Sequence, residues 1–416
     1  MRLNDFAIYK LITNNKKKNF AKIYAITLFT CTFTFYLQAA FAQQYKTNLE
    51  IRSPFLPKPV VIDGRPVVYY ELYITNFGLD TIHLKTLQIS DSKNHMPLAS
   101  FDNEELKKKV SRIGTQGKDN SAVLPSGSSC VVYIELDIKK QDDGNLLAHS
   151  LKFETSKMGI ITSDSVTFMA VNNEKNRPLV LGPPLRSGIW AAVYDPSWRT
   201  GHRRVIYTVN GHAFIPGRFA IDFIKLNKMG RLAKCNDDVV KDWYGYGADV
   251  LAVADGVVAS VRNDFLETPT VSGRERVGPE RATGNYISVR IGKDEYAFYE
   301  HLKPGSIKVK AGQNIKKGQV IAALGFTGQS DGPHLHFHLA SKDSPLGAEG
   351  IPYNFEHFTY LGKYNNIYSL GKSPWAAIKR SGNRIRVRER PLPNSVISFF
   401  SQQYRTSYLN HLLKTQ

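Results

Sequence analysis

The chain has 416 residues, 42% hydrophobic and 22% charged, which suits two or three domains with real cores and excludes wholesale disorder, collagen and coiled coil. Its 55 Lys and Arg outnumber 36 Asp and Glu, and the resulting net charge of +19 draws it toward a polyanion: nucleic acid, an anionic membrane face or an anionic cell wall. The three cysteines form no C-x-x-C pair, so neither a disulfide framework nor a thiolate zinc site is expected.

In chain order, residues 1–42 read as a secretory signal peptide. Arg2, Lys10, Lys16, Lys17, Lys18 and Lys22 precede an apolar run at 23–37, and the small-residue triplet Ala40-Phe41-Ala42 follows. The run is shorter than the roughly 20 residues of a membrane span, so no stable insertion is expected after cleavage. Without this segment's six basic residues and Asp5 the net charge is +14. The protein is therefore expected to be exported, to the periplasm or the cell exterior.

Residues 43–171 predict an immunoglobulin-like β-sandwich. Alternating β-branched and aromatic stretches at 67–75 (VVYYELYIT), 83–89, 130–138, 149–154 and 166–171 are separated by Gly, Ser, Asn and Asp clusters with no helical period. His83, His95 and His149 are isolated there and read as structural. A cell-wall or protein partner is a candidate for this sandwich. The Pro- and Gly-rich stretch 172–188 reads as a linker. A second β-rich block covers 189–361, interrupted by a long charged excursion at 264–283. The remaining 362–416 form a basic extension with one plausible strand at 395–400.

Chemistry concentrates in the second block. In 333–339 (PHLHFHL), His334, His336 and His338 share one face of a strand while Leu335, Phe337 and Leu339 share the other. Several adjacent imidazoles on a buried strand are costly unless a metal or a proton-transfer task gives them a partner. In 218–224 (RFAIDFI) a lone carboxylate, Asp222, interrupts an apolar strand, and a divalent cation or a salt bridge to a base such as Arg218 would compensate it. Tyr299-Glu300-His301-Leu302 precedes a run of Gly-cornered hairpins that carries His301 and the His334 strand toward one rim.

Residues 219–339 resemble the lysostaphin-type zinc metallopeptidases, peptidoglycan endopeptidases built on a duplicated hybrid motif. The resemblance rests on VLAVADGVV (250–258), GNYISV (284–289), YEHLKPGS (299–306), VKAGQNIKKGQVIAALG (309–325) and GPHLHF (332–337). It implies an all-β fold, a zinc ion held by Asp222 and His336, and catalytic roles for His334 and His301. His338 matches no catalytic position and reads as supporting. The family's first ligand histidine stands four residues before the aspartate, where this chain has Arg218. The nearest upstream histidines are His212, in Asn210-Gly211-His212, and His202. His212 is expected as the third ligand, with a water or other group in its place, or a zinc-free degenerate site, as the alternatives.

The function these residues imply is hydrolysis of peptidoglycan peptide cross-links. The competing reading is a degenerate peptidase fold that binds cell wall or regulates a partner hydrolase. Nucleic acid is not expected as a partner, because no basic-aromatic platform or helical reader accompanies the charge.

Overall fold

The computed structural model describes residues 48–54, 59–115, 118–138, 147–170, 178–378 and 384–399. The signal peptide read at 1–42 lies outside the described residues. Two five-stranded antiparallel sheets occupy the N-terminal half. One runs in the order Leu49–Arg52, Arg65–Asn76, Ser129–Asp137, Val110–Arg112, with Val60–Ile62 also paired to Arg65–Asn76, and the other Ile160–Ala170, Leu147–Lys157, Thr81–Asp91, Pro97–Asp102, with Val123–Leu124 also paired to Thr81–Asp91. Alternation dictates their packing: Tyr70, Leu72 and Ile74 from the first sheet meet Leu84, Leu87, Ile89 and Leu151 from the second in one buried cluster. The strands read at 67–75 and 83–89 lie inside Arg65–Asn76 and Thr81–Asp91. A short α-helix, Asn103–Lys109, was not expected, since seven residues with one buried apolar side chain, Leu106, leave no helical period to read.

The rest of the chain builds a 12-stranded sheet. Its middle runs Ser395–Ser398, Ile189–Val193, Ile221–Leu226, Leu335–Ala340, Glu295–Glu300, Tyr286–Gly292, Gly256–Arg262. Two segments differ from the reading given above. Within the expected linker 172–188, Leu179–Leu181 forms a strand parallel to Tyr353–Phe355 of strand Tyr353–Lys363. Within the expected extension 362–416, Ile385–Glu389 pairs with Tyr353–Lys363, and Ser395–Ser398 fits between that strand and Ile189–Val193. The strand read at 395–400 is present as Ser395–Ser398, whereas Leu179–Leu181 and Ile385–Glu389, of three and five residues, give almost no periodic signal.

The sandwich and this sheet share a core. Val60, Ile62, Val67 and Tyr69 belong to the same buried cluster as Trp190, Phe219, Phe223, Phe337 and Tyr353. Cys130 is buried and Cys235 exposed, both unpaired.

Candidate metal centre

Three neighbouring strands place the site. Leu335–Ala340 lies between Ile221–Leu226 and Glu295–Glu300, and the registers set Asp222 and Glu300 on either side of His336. Leu335, Phe337 and Leu339 are fully buried against the hydrophobic core. The period of two then turns His334, His336 and His338 to the opposite face, where all three are also buried.

Asp222 is the hub. His336 Nδ1 lies 2.8 Å from Asp222 Oδ1, His202 Nε2 lies 2.9 Å from Oδ2, and His334 Nε2 lies 3.5 Å from Oδ1. Ligand atoms of His202, Asp222 and His336 all fall within 4.8 Å of one another. The His202 and His336 rings are edge-to-face with centroids 4.7 Å apart. Burial pushes the Asp222 carboxyl upward, but the charges of His202 and His334 outweigh it and hold the group well below the usual carboxylate range. The same attraction raises His202 and His334 against the downward pull of burial.

His301 and His334 stand beside this cluster with ring centroids 4.7 Å apart. The His301 ring donates from Nδ1 to the Thr327 carbonyl at 2.8 Å, and the His334 ring donates from Nδ1 to the Gly332 carbonyl at 2.8 Å. His301 has φ of 59°, a left-handed conformation that non-glycine residues adopt at some strain. Behind His336, His338 stacks on Phe298 with its Nδ1 3.8 Å from Glu300 Oε1. Burial, and then the neighbouring Asp222 charge, push Glu300 up to about 8. Glu300, His336 and His338 form a second donor group. A cavity of about 210 Å³ opens onto these groups, lined among others by His202, Tyr207, Glu300, His301 and His336.

The structure thus brings Asp222, His336, His334 and His301 together, as the sequence implies, but it does not bring His212. Asn210 and Gly211 both have positive φ, 50° and 78°, and form a two-residue turn between Tyr207–Val209 and His212–Phe214. His212 therefore pairs with Val209 on an exposed hairpin, and His202 takes the place expected for it. The Asn-Gly dipeptide between two apolar stretches is the signal that identifies this hairpin. His202 sits in a 3-10 turn, His202–Arg204, where no periodicity marks it. Arg218 is buried and ion-paired with Glu71 and Glu349, away from the ligand role.

The charged excursion 264–283 is tied down beside the site. Tyr246 donates to Glu267 at 2.7 Å, the Ser272 N–H donates to Asp238 at 2.7 Å, and Arg274 meets Asp331 and the Ser330 carbonyl. Ser330 Oγ in turn lies 3.1 Å from His334 Nδ1.

Comparison with known proteins bears on the same residues. The family model described as Peptidase family M23 matches residues 243–347. An uncharacterized metalloprotease of Haemophilus influenzae is 37% identical over 98 residues, 23% of this chain and 17% of that protein. The peptidoglycan DD-endopeptidase ShyA of Vibrio cholerae is 33% identical over 102 residues, 24% of this chain and 20% of that protein. The chain thus spans no more than a fifth of the length of these two curated relatives. Among solved structures, the catalytic domain of the prophage-encoded M23 protein EnpA from Enterococcus faecalis aligns over 42% of this chain and 93% of its own, at 19% identity and TM-score 0.24. The lysostaphin catalytic domain from Staphylococcus simulans aligns over 40% of this chain and 88% of its own, at 21% identity and TM-score 0.22. The segment that matches the Peptidase family M23 model contains His301, His334 and His336.

Proposed function

We propose that this chain is an exported zinc metalloendopeptidase that hydrolyses peptide cross-links of bacterial peptidoglycan. The observation that carries the reading is the convergence of His202, Asp222 and His336 within 4.8 Å, at a cavity that also exposes His301. Two imidazoles and a carboxylate are the ligand types of catalytic zinc sites. The donor set therefore fits zinc, with His202, Asp222 and His336 as the residues that would hold it. When bound, zinc supplies Lewis acidity to an amide carbonyl and lowers the pKa of water toward about 7.

The chain's own histidines would move the protons. Because Nδ1 of His301 and of His334 donates to a backbone carbonyl, the neutral tautomer of each leaves Nε2 as the basic nitrogen. Nε2 can accept a proton from an attacking water and return it to the leaving amine. The sequence has no H-E-x-x-H motif to supply a glutamate base, so the two rings share that task. The positive charge remaining without residues 1–42 suits an anionic envelope, in keeping with an export reading of that segment. The reading of a non-cutting wall binder drew on Arg218 at the ligand position, and His202 beside Asp222 weakens it.

The test is digestion of purified peptidoglycan by the zinc-loaded wild type and by His202→Ala, His334→Ala and His336→Ala, with mass spectrometry of the products. New amine termini are expected from the wild type alone. Their absence from the wild type, or bound zinc below about a tenth of an equivalent, overturns the proposal.

A further inference from the structure

Of the three donors only His336 lies in the family-matched segment; His202 stands furthest upstream, and the structure ties it to the N-terminal sandwich. His202 opens the 3-10 turn His202–Arg204, and the next residue, Arg203, is buried in sandwich atoms. Arg203 donates from Nε to Glu71 Oε1 at 2.8 Å, from Nη2 to the carbonyls of Tyr70 and Ile134 at 2.8 Å each, and from Nη1 to Glu135 at 3.3 Å. Glu71, fully buried on strand Arg65–Asn76, uses its other oxygen to accept from Arg218 Nε at 2.8 Å. Arg218 continues to Glu349 at 2.6 Å and to the Gly350 carbonyl at 3.1 Å. Arg204 stands over the Tyr133 ring, 3.9 Å from its centroid.

Arg218 belongs to a second 3-10 turn, Pro216–Phe219, which packs on the first. A Cβ at Gly217 would stand 2.9 Å from His202 Cβ, so only glycine lets the two turns approach this closely. One carboxylate from the sandwich therefore grips both turns that flank the Asp222 strand. A buried ionic network with this many directional bonds has few alternative arrangements, which suits it to fixing a position.

We infer that the sandwich is an integral part of the metal centre, and that Glu71 is a positioning residue that holds His202 against Asp222 through Arg203 and Arg218. The inference rests on the reading in which His202 is a zinc donor. It also gives Arg218 a role: the side chain at the position where relatives of the lysostaphin type carry a ligand is a strut that anchors the turn beside the substitute ligand.

The test uses the full chain as wild type, Glu71→Asp, Glu71→Gln and Tyr70→Phe. Zinc affinity is measured by chelator competition, and hydrogen exchange of residues 201–206 is measured on metal-free protein. Glu71→Asp keeps the charge but shortens its reach, and covers the case in which Glu71→Gln leaves two guanidiniums unpaired and fails to fold. The expected result is a loss of zinc affinity of about 10–100-fold in the Glu71 variants, the range typical of supporting partners, with faster exchange at 201–206. Tyr70→Phe removes the Tyr70–His149 hydrogen bond that links the two sheets of the sandwich and is expected to lower the thermal midpoint with zinc affinity unchanged. A folded Glu71 variant with wild-type zinc affinity and wild-type exchange overturns the inference. A wild type that binds no zinc, with exchange at 201–206 still accelerated in the Glu71 variants, overturns the metal reading and leaves the positioning of His202 by the sandwich standing.

Discussion

Asp222 lies 2.9 Å from His202 through one carboxylate oxygen and 2.8 Å from His336 through the other, whereas His301 and His334 lean on backbone carbonyls. The two groups of residues should therefore fail differently. His202→Ala and His336→Ala are expected to weaken zinc binding by more than the roughly 10–100-fold carried by supporting partners, and His212→Ala to leave it unchanged, as read by calorimetric titration. His301→Ala and His334→Ala are expected to retain zinc while hydrolysis falls by about 10²–10⁴-fold, the usual contribution of a general acid or base. Retained activity in either would remove that ring from the proposed chemistry. Four of the five residues expected at this site were legible in the sequence: a strand period of two forces His334 and His336 to one face, and a lone aspartate between Ile221 and Phe223 calls for a partner. The exchange of His212 for His202 was not legible. The Asn-Gly turn marks the hairpin that carries His212 away, but His202 lies in a short 3-10 turn with no sequence signal, and packing of its neighbour Arg203 against Glu71 sets its place.

Strand register carries the Asp222, His336 and Glu300 row, but His301 depends on a junction of loops. Its backbone N–H donates to the Thr283 carbonyl at 3.0 Å, and its ring donates to the Thr327 carbonyl at 2.8 Å. Between these supports, Gly284 has φ of 60°, and a Cβ there would stand 2.5 Å from the Thr327 backbone. Gly284→Ala combines a left-handed backbone with overpacking, and is expected to destabilise the protein by about 2–4 kcal/mol in urea unfolding. Because His202, Asp222 and His336 come from other segments, the folded fraction should keep its zinc affinity and lose hydrolysis. Equal losses of both would mean that the junction supports the whole site. At this scale the sequence showed the five long sandwich strands, but the short strands after His301 form no hairpins with one another: Asn314–Ile315 pairs with Gly256–Arg262 and Val320–Ala323 with Asp249–Leu251. It showed Ser395–Ser398 as a strand but not its place in the large sheet, and it did not show Leu179–Leu181 at all, since the pairing partners are remote and three residues give no pattern.

The sandwich and the large sheet share one core and the Glu71 ion pairs, so the stability of the one is coupled to that of the other. His149 makes that coupling dependent on pH. Its ring is buried between the sheets, stacked on Phe168 at 4.8 Å and hydrogen-bonded to Tyr70, the residue before Glu71. Burial pushes it down to about 4, against about 6.5 for an unfolded histidine. Above about pH 6.5 both states are neutral and the full stability is present. As pH falls through that value the unfolded chain takes up a proton that the folded ring refuses, and stability is lost until the folded ring also protonates near 4. The loss from this one group is about 2 kcal/mol at pH 5. The urea midpoint of the wild type is therefore expected to fall between pH 7 and pH 5 by more than that of His149→Gln, which can keep a hydrogen bond to Tyr70 but cannot titrate. The comparison between variants matters because the site histidines also titrate, and they are common to both proteins. An equal fall in the two would assign the acid sensitivity to the metal-centre histidines, since Glu71, whose carboxylate Arg218 and Arg203 hold below its usual range against the effect of burial, loses its stabilising charge only below this pH window.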